Sequence, residues 1–489
     1  MLFNSIDFAI FLPIIFLLYW FVAQKNLKLQ NALIVVASYV FYGWWDWRFL
    51  SLIIFSTVVD YTIGQSLRNE QHQSKRKVLL WTSIIVNLSF LGFFKYYNFF
   101  LENFIEAFSL FGMHINANSL NIILPVGISF YTFQTLSYTI DVYKKKLEPT
   151  KDFMAFSAFV CFFPQLVAGP IERATNLLPQ FYKKRTFEYH KAVDGMRQIL
   201  WGLFKKVVIA DNCAEFANQI FNNSADMNGS TLVLGAIFFT FQIYGDFSGY
   251  SDIAIGTSRL FGFDLKQNFA TPYFSRDIAE FWRRWHISLS TWFRDYLYIP
   301  LGGSRGGTWM KVRNTFAIFL VSGFWHGANW TFIIWGALNA IYFLPLLLTN
   351  NNRNNLGVVA EGKLFPSLRE LFAMLTTFTL TVFAWIFFRA ENLSHAFSYI
   401  RGVFSVSFFE SFQIVRSLND LFNLVTTITL IITLLIFEWL TRNYKHPMEY
   451  FYKNKINNIF RYFVYFFLIL TIIFLGNFID NQQFIYFQF

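Results

Sequence analysis

Long runs of apolar residues recur along nearly the whole 489-residue chain. The first is FAIFLPIIFLLYWFVA, residues 8–23, and a helix needs about 20 predominantly apolar residues to span the hydrocarbon core of a bilayer. Only 14% of the residues are charged, whereas soluble proteins average about 25%. The chain therefore lacks the polar surface of a soluble globule, and the sequence predicts an all-α, polytopic membrane protein.

We predict roughly 10 to 12 membrane segments in one membrane domain, residues 1–489, because no internal repeat or long linker divides the chain. The apolar stretch 153–169 contains Pro164 and Gly169 between basic flanks, which indicates a re-entrant or broken segment. The run 316–348 is too long for one straight crossing. Further predicted spans are residues 31–45, 49–65, 78–94, 122–142, 195–221, 232–255, 371–388, 421–439 and 459–478.

Basic residues follow alternate early spans and so predict the orientation of the chain. Lys25 and Lys28 follow the first span, a cluster at 68–77 follows two more, and lysines at 144–151 return after another two. Because cytoplasmic loops are enriched in Lys and Arg, we expect an extracytoplasmic N-terminus. The same rule accounts for the net charge of +11, so no nucleic-acid partner is expected.

Residues 276–298, RDIAEFWRRWHISLSTWFRDYLY, have a strongly amphipathic pattern. On a helical wheel at about 100° per residue, Trp282, Trp285 and most other aromatic residues share one side. We expect one helix at the membrane surface or against the helix bundle. The charged residues fall within an arc of roughly 120°: Arg276, Asp277, Glu280, Arg283, Arg284, Arg294 and Asp295.

Two histidines fall in apolar surroundings. His286 lies on the aromatic side of the predicted 276–298 helix, about 40° from Trp282. His326 lies in VSGFWHGANWTFIIWG, within the segment 314–352, which contains no charged residue. A lone buried histidine is more often a satisfied core residue. Two inward imidazoles, however, can face one cavity, one as a base and the other as its partner.

The residues beside His326 suit acyl transfer to a hydroxyl group. Imidazole has an unperturbed pKa of about 6.5, so it is mostly neutral at pH 7 and can take the hydroxyl proton. Gly323 and Gly327 allow other backbone to approach closely, and Trp325 precedes the histidine directly. Asn329 either supplies an oxyanion-type donor or satisfies the backbone of a broken helix.

Two carboxylates, Asp246 and Asp252, lie in the YGDFSGYSD stretch of an apolar span. Intramembrane carboxylates are functional candidates, but we favour a structural role through hydrogen bonds or an ion pair with Arg283 or Arg284. Part of the basic run 259–313 is available for the phosphates of coenzyme A. The two cysteines and the absence of metal-ligand spacing predict neither a disulfide framework nor a metal site.

Several of these motifs resemble the membrane-bound O-acyltransferase (MBOAT) family. The clearest are FWRRWHISLSTWFRDYLYIPLGG at 281–303 and GFWHGANWTFIIWG at 323–336. LPVGISFYTFQTLSYTIDVY, FFPQLVAGPI, YGDFSGYSDIAIG and WIFFRAENL extend the resemblance over essentially the whole chain. The chain is most similar to the bacterial AlgI-like branch of alginate O-acetyltransferases, which is related to DltB.

The resemblance implies a ring of tilted helices around a central tunnel, with His326 as the tunnel histidine and His286 as the second. It implies O-acetylation of an extracytoplasmic polysaccharide (alginate-like, cellulose or peptidoglycan) with acetyl groups from cytoplasmic acetyl-CoA, carried across a bacterial inner membrane. An extracytoplasmic acetyltransferase of the AlgJ, AlgX or PatB kind is the implied partner. Further candidate tunnel or substrate residues are Asn329, Trp325, Asp246, Trp282, Trp285, Arg283 and Arg284.

Two other functions fit part of the sequence. A transporter or flippase suits the composition, but the chain has neither repeated halves nor the paired discontinuous helices that many transporters use. A D-alanyl transferase of the DltB type would take its acyl group from an acyl carrier protein instead of coenzyme A. The sequence leaves the acceptor polymer and the acyl donor open.

Overall fold

The computed structural model describes residues 1–113, 115, 117–454, 456–478 and 484–485, and every regular element within them is helical. Ile6–Val22 is apolar but shorter than a full span. The prediction of an all-α polytopic membrane protein is confirmed. Within the described residues, seven helical stretches are long and apolar enough to cross a membrane: Leu27–Asn69, Gln73–Ser109, Gly229–Leu260, Trp330–Leu348, Leu368–Arg389, Leu418–Leu440 and Asn458–Leu475.

Contacts divide the chain into two compact units, and the single predicted domain stays a prediction. The first unit is Met1–Val193 with Thr257–Lys266, and the second is Asp194–Gly256 with Gln267–Phe489. The helices of the first unit are α1 (Ile6–Leu17), α2 (Leu27–Asp46), α3 (Leu50–Asn69), α4 (Gln73–Leu91), α5 (Tyr97–Ser109), α6 (Ile128–Tyr143), α7 (Phe153–Cys161), α8 (Phe163–Leu166) and α9 (Ala174–Leu177).

In the first unit, α6 is buried along nearly its whole length and packs on α3 and α4. Hydrogen bonds to Asp60 of α3 join these three helices. Its carboxylate accepts from Ser83 Oγ at 2.5 Å, Asn87 Nδ2 at 2.9 Å and Thr139 Oγ1 at 3.0 Å. Buried polar groups in a membrane protein need such internal partners because lipid offers none.

The 153–169 stretch is broken, one of the two forms predicted for it. α7 ends at Cys161, Phe162 takes φ −52° and ψ 104°, and α8 begins at Phe163. The backbone N–H of Phe163 donates to Ser38 Oγ at 3.1 Å, and the residues around the break are fully buried. Protein therefore covers the interrupted backbone, as membrane depth requires.

The second unit is built around α12 (Gly229–Leu260), the most buried of the apolar helices, with 83% of its apolar window buried. A π-helical segment, Phe204–Ala210, joins the two helices before it. The other helices with most or all of their residues in this unit are α10 (Tyr189–Leu203), α11 (Asp211–Asn222), α13 (Ile278–Arg284), α14 (Ile287–Phe293), α15 (Thr308–His326), α16 (Trp330–Leu348), α17 (Leu368–Arg389), α18 (Leu393–Val403), α19 (Leu418–Leu440), α20 (Pro447–Lys453) and α21 (Asn458–Leu475).

The boundaries of several predicted spans differ from the structure. The predicted spans 31–45 and 49–65 correspond to α2 and α3, which a 3₁₀ turn joins into one 43-residue stretch. Such joining is one reason why seven apolar stretches are found where more segments were predicted. The long 316–348 run is divided at residues 327–329 into α15 and α16, as its length predicted.

The prediction of one continuous helix over residues 276–298 is wrong. α13 ends at Arg284, Trp285 is extended, and His286 adopts the left-handed conformation with φ 41° and ψ 54°. α14 begins directly afterwards, and a π-helical segment, Arg294–Tyr298, follows it. The segment therefore has two short helices, and His286 lies at the break between them.

The loop before α13 explains this break, because it takes hydrogen bonds that a continuous helix would use. The backbone N–H of Ala270 donates to the carbonyl of Arg284 at 3.0 Å, and the N–H of Ile287 donates to the carbonyl of Asn268 at 2.9 Å. Helical periodicity predicts which side chains share a face, but it carries no information about a pairing with another part of the chain.

Candidate active site

His326 is the last residue of α15, and aromatic rings surround its imidazole. The ring centroids of Trp325, Trp335 and Phe388 lie 4.8, 5.1 and 5.2 Å from that of His326, each in an edge-on arrangement. The residue is 5% exposed. The chain therefore places this imidazole in a water-poor aromatic environment at the end of a helix.

Two glycines allow α15 and α16 to pack closely enough to place His326 there. A Cβ atom on Gly323 would lie 2.2 Å from the carbonyl oxygen of Phe332, and one on Gly336 would lie 2.3 Å from that of Phe319. Because both contacts are with backbone, only glycine fits at these positions. Close helix approach through small residues is typical of membrane proteins.

Asn329 is the N-cap residue of α16, and both the oxygen and the nitrogen of its side-chain amide form hydrogen bonds with backbone groups. Its Oδ1 accepts from the N–H of Thr331 at 3.0 Å, and its Nδ2 donates to the carbonyl of Glu391 at 2.7 Å. Of the two roles considered for this residue, these contacts match the structural one, in which the side chain satisfies an interrupted helix.

His286 is 1% exposed and lies outside the seven apolar helices. Its Nδ1 is 3.1 Å from Asn268 Oδ1, and its ring contacts Phe247 edge-on with centroids 4.6 Å apart. Burial lowers the pKa of His286 to about 3, because desolvation disfavours the charged form. The imidazole is therefore neutral at ordinary pH.

Trp325 brings the two histidines into one site. Its ring centroid lies 4.8 Å from that of His326 and 6.2 Å from that of His286. The rings of the two predicted histidines thus both contact the indole of Trp325, although the histidines are 40 residues apart in sequence. Their roles in a reaction stay a prediction.

A cluster of contacting tryptophan rings extends from His326. Trp335 stacks on Trp385 with centroids 5.6 Å apart, and Trp385 contacts Trp285 at 5.2 Å. Trp282 meets Trp335 edge-on at 5.7 Å. Both predicted tryptophans of the 276–298 segment therefore belong to the aromatic cluster around His326.

Trp282, which contacts Trp335 of this cluster, also lines a cavity of about 470 Å³. Its apolar wall includes Phe319 and Phe343, and its polar wall includes Arg283, Arg294 and Arg353. The cavity also borders Ser322, one helical turn before His326 on the same face of α15. Neither histidine belongs to the cavity lining, so the cavity ends within one turn of His326.

The two adjacent arginines of α13 face different surroundings. Arg283 borders the cavity and donates to the backbone carbonyls of Asn352 and Asn355 at 2.9 and 2.8 Å. Arg284 instead forms a buried pair with Glu280 at 2.9 Å. The side chain of Glu280 is 1% exposed. The charged side of the 276–298 segment is therefore partly buried in ion pairs and hydrogen bonds within the protein.

Asp246 and Asp252 accept hydrogen bonds, one of the two kinds of contact predicted for them, but the predicted ion pair with Arg283 or Arg284 is wrong. Asp246 pairs with Lys206 at 2.9 Å, and Asp252 pairs with Lys205 at 2.6 Å. Both lysines belong to the π-helical segment Phe204–Ala210, which places them against α12. The sequence offered several cations for these carboxylates, and the choice depends on packing between helices.

Two residues near the C-terminus reach this region, which the sequence analysis did not anticipate. The backbone N–H of Ile485 donates to Asp246 Oδ2 at 2.7 Å. The ring of Phe484 lies 4.9 Å from Tyr250 and 6.1 Å from Phe247, and Phe247 in turn contacts His286. Phe484 and Ile485 are each 1% exposed. No regular periodicity marks so short a segment.

Asn268 was also missed. It is fully buried in the loop before α13 and contacts both His286 and Ser251 of α12. A single asparagine in a loop carries no pattern that separates it from the others in the chain. Within the described part of the chain, no group of three or more His, Cys, Asp or Glu residues is placed to hold a metal ion.

These contacts define an aromatic site with two buried imidazoles, next to an apolar cavity with guanidinium groups in its wall. The family model of the membrane-bound O-acyltransferases matches residues 41–358. The chain belongs to this family and is therefore a multi-pass membrane acyltransferase.

The chain is 40% identical over 454 residues to the probable alginate O-acetylase AlgI of Pseudomonas aeruginosa, covering 92% of this chain and 83% of that protein. It is 37% identical over 432 residues to the peptidoglycan O-acetyltransferase of Helicobacter pylori, covering 82% and 80%. Similarity to the teichoic acid D-alanyltransferase of Bacillus subtilis is weaker, 27% over 290 residues, covering 56% and 71%. The chain is therefore interpreted as an acyltransferase, and no longer as the transporter or flippase that its composition also allowed.

Proposed function

We propose that this acyltransferase takes an acetyl group from acetyl-CoA and passes it on for O-acetylation of an extracytoplasmic polysaccharide. His326 is the base that takes a proton from the attacking group, and His286 assists it. The observation that carries the proposal is that both imidazoles contact Trp325, and that the cavity reaches Ser322, one helical turn before His326. A base of this kind contributes about 10² to 10⁴ in rate.

The cavity suits coenzyme A as the carrier of the acetyl group. Arg294 and Arg353 are exposed guanidinium groups of its wall, and guanidinium pairs well with phosphate. The apolar part, towards Phe319 and Trp282, suits the uncharged pantetheine arm and directs the thioester towards His326. Its volume is within the range of about 300–1,000 Å³ that small-molecule sites have.

We place the entrance of the cavity on the cytoplasmic side because positively charged residues border it. Arg294 and Arg353 border the cavity, and basic residues are concentrated on the cytoplasmic side of membrane proteins. The protein is proposed to lie in a bacterial inner membrane, and the basic clusters after its early spans place its N-terminus outside the cytoplasm. The acetyl group then leaves on the opposite side, where a partner acetyltransferase of the AlgJ, AlgX or PatB kind passes it to the polymer.

Alginate-like polymers, cellulose and peptidoglycan remain the candidate acceptors, since relatives named for two different polymers have similar identity to this chain. D-alanyl transfer is the second candidate. The lower identity and coverage of the D-alanyltransferase favour acetyl transfer.

The test is the O-acetyl content of the surface polymer in a host that lacks its own copy of the gene and carries each variant. His326→Ala should lower this content at least about 100-fold, because the proton acceptor is lost. His286→Ala should cost less if it only assists. Variants must be compared at equal amounts of protein in the membrane.

His395→Ala is the matched control. His395 is a half-buried histidine of the same unit, on α18, and bonds Ser224 at 3.1 Å. It should retain most of the activity. Acetylation that persists in His326→Ala would contradict the assignment of the base, whereas D-alanyl esters in place of acetyl esters would contradict the proposed donor.

A further inference from the structure

We infer that Asn268 is a positioning residue that holds His286 in one tautomer and stabilises the turn on which His286 lies. The inference rests on the proposed role of His286 in acyl transfer. It concerns a loop asparagine outside every motif that the sequence analysis identified. Four hydrogen bonds of its side chain and one of its backbone carry the argument.

The orientation of the Asn268 amide follows from a donor that cannot change its role. The backbone N–H of Ser288 points to Asn268 Oδ1 at 3.2 Å, and the Ser288 hydroxyl lies 2.9 Å from the same atom. A backbone N–H only donates, so the atom facing it is the amide oxygen. The amide nitrogen then donates to Ser251 Oγ at 3.1 Å.

The tautomer of His286 follows from this orientation. Its Nδ1 faces the same amide oxygen at 3.1 Å, and an oxygen acceptor requires a proton on Nδ1. A neutral imidazole carries one proton, so Nε2 has a lone pair and can accept a hydrogen bond or a proton. Asn268 thus keeps Nε2 in the form that a base or its helper needs.

Asn268 also stabilises the backbone of His286. Its carbonyl accepts from the N–H of Ile287 at 2.9 Å, and its side chain accepts from the N–H of Ser288. These contacts occupy the first two backbone donors after His286. The left-handed conformation of a non-glycine residue costs about 1–2 kcal/mol, and it persists where surrounding contacts determine it.

The first test is the pH dependence of acetyl transfer in Asn268→Asp. The carboxylate keeps an acceptor at Nδ1 but places a negative charge beside the imidazole, which raises the pKa of His286. As the pH falls through this raised pKa, Nε2 becomes protonated and the rate decreases about tenfold per pH unit. The wild type should not lose activity through His286 in the same range.

The measurement uses inverted membrane vesicles of the native host, supplied with radiolabelled acetyl-CoA between about pH 5.5 and 8. The ring contacts of His286 include the apolar rings of Phe247 and Phe269 and the indole of Trp325. The charged neighbour of Phe247 on α12 is Asp246, which pairs with Lys206. The pH effect should therefore come from the introduced carboxylate.

Asn228→Asp is the control, because Asn228 is buried in the same unit and its amide oxygen accepts similar hydrogen bonds from a serine hydroxyl and a backbone N–H, while its amide nitrogen faces Glu410. Its Oδ1 accepts from Ser230 Oγ and from the N–H of Thr231, both at 3.1 Å. Its pH profile should match that of the wild type. If Asn268→Asp lowers the rate by the same factor at every pH, its role is only structural and the inference fails.

A second test requires no variant of Asn268 to fold. Nitrogen-15 spectra of histidine-labelled protein in proteoliposomes separate the tautomers, and His286→Ala identifies the signal. We expect a protonated Nδ1 and an unprotonated Nε2 at neutral pH; the opposite tautomer would overturn the inference. Failure of His286→Ala to affect transfer would instead contradict the proposed function and leave the tautomer assignment intact.

Discussion

The two histidines of the site lie at chain breaks that are stabilised in different ways. His326 ends a long helix, and close backbone packing between α15 and α16 determines its position. His286 lies between two short helices, and hydrogen bonds that the next two backbone N–H groups donate to Asn268 hold its left-handed turn. The first arrangement is a matter of helix packing, while the second depends on a polar contact with a loop.

This difference predicts which substitutions affect each histidine. Packing against a backbone carbonyl leaves no room for an added methyl group, so the His326 region should be sensitive to side-chain volume. The His286 region should be sensitive to backbone conformation and to hydrogen-bond partners. Three predictions test this contrast, in order of decreasing effect.

Gly323→Ala should have the largest effect. Its Cβ would lie 2.2 Å from the carbonyl oxygen of Phe332, so α15 and α16 must separate, at a cost of about 3 kcal/mol or more. Acetyl transfer should fall with it, because His326 is one turn away. Thermal unfolding in detergent and acetyl transfer are measured together.

Gly307→Ala, at the residue that precedes α15, is the control, because a Cβ there meets nothing within 4 Å. Its unfolding temperature should remain close to that of the wild type. If Gly323→Ala were equally harmless, the close approach of α15 and α16 would not be what places His326.

Asn and Gln substitutions of His286 should differ in stability by about 1 kcal/mol. Both remove the imidazole and should lower transfer equally, but Asn tolerates the left-handed conformation better than Gln does. The unfolding temperature should therefore be higher for His286→Asn. The same pair at His395, within helix α18, should give the reverse order, since Gln is the better helix former. Equal stabilities at position 286 would argue against the strained turn.

Asn329→Ala should have the smallest effect. It removes the N-terminal cap of α16 and the bond to Glu391, a loss of about 1 kcal/mol, while acetyl transfer should stay within about fivefold. Thr331→Ala is a suitable comparison, because the Thr331 backbone N–H that Asn329 caps remains. A loss of about 100-fold in transfer with unchanged stability would indicate the oxyanion role instead.

Much of the architecture could be predicted from apolar runs, since lipid requires helices of a certain length. The interruption between α15 and α16 followed from the same length argument. The break at His286 could not be predicted, because its cause is a pairing with residues 268–270 that the helical wheel does not contain. The wheel nevertheless placed Trp282 and Trp285 on one side, and both belong to the aromatic cluster.

The candidate site was predicted only in part for a similar reason. Histidines in apolar sequence are conspicuous, so His286 and His326 could be selected by residue type. The partners of Asp246 and Asp252 could not, because the chain contains 40 Lys and Arg residues and only the folded π-helical segment selects two of them. Asn268 and Ile485 act partly through backbone contacts, which leave no trace in composition.

The paired lysines Lys205 and Lys206 have a consequence for how this protein can vary in length. These two consecutive lysines form ion pairs with two carboxylates that are six positions apart on α12. The π-helical segment Phe204–Ala210 and α12 can therefore pack in only one alignment along their axes. A single inserted or deleted residue between these contacts would leave a buried charge without its counterion, which costs about 3–5 kcal/mol. Natural insertions and deletions should therefore collect in the loops, such as residues 350–367, and leave this stretch of the two helices unchanged.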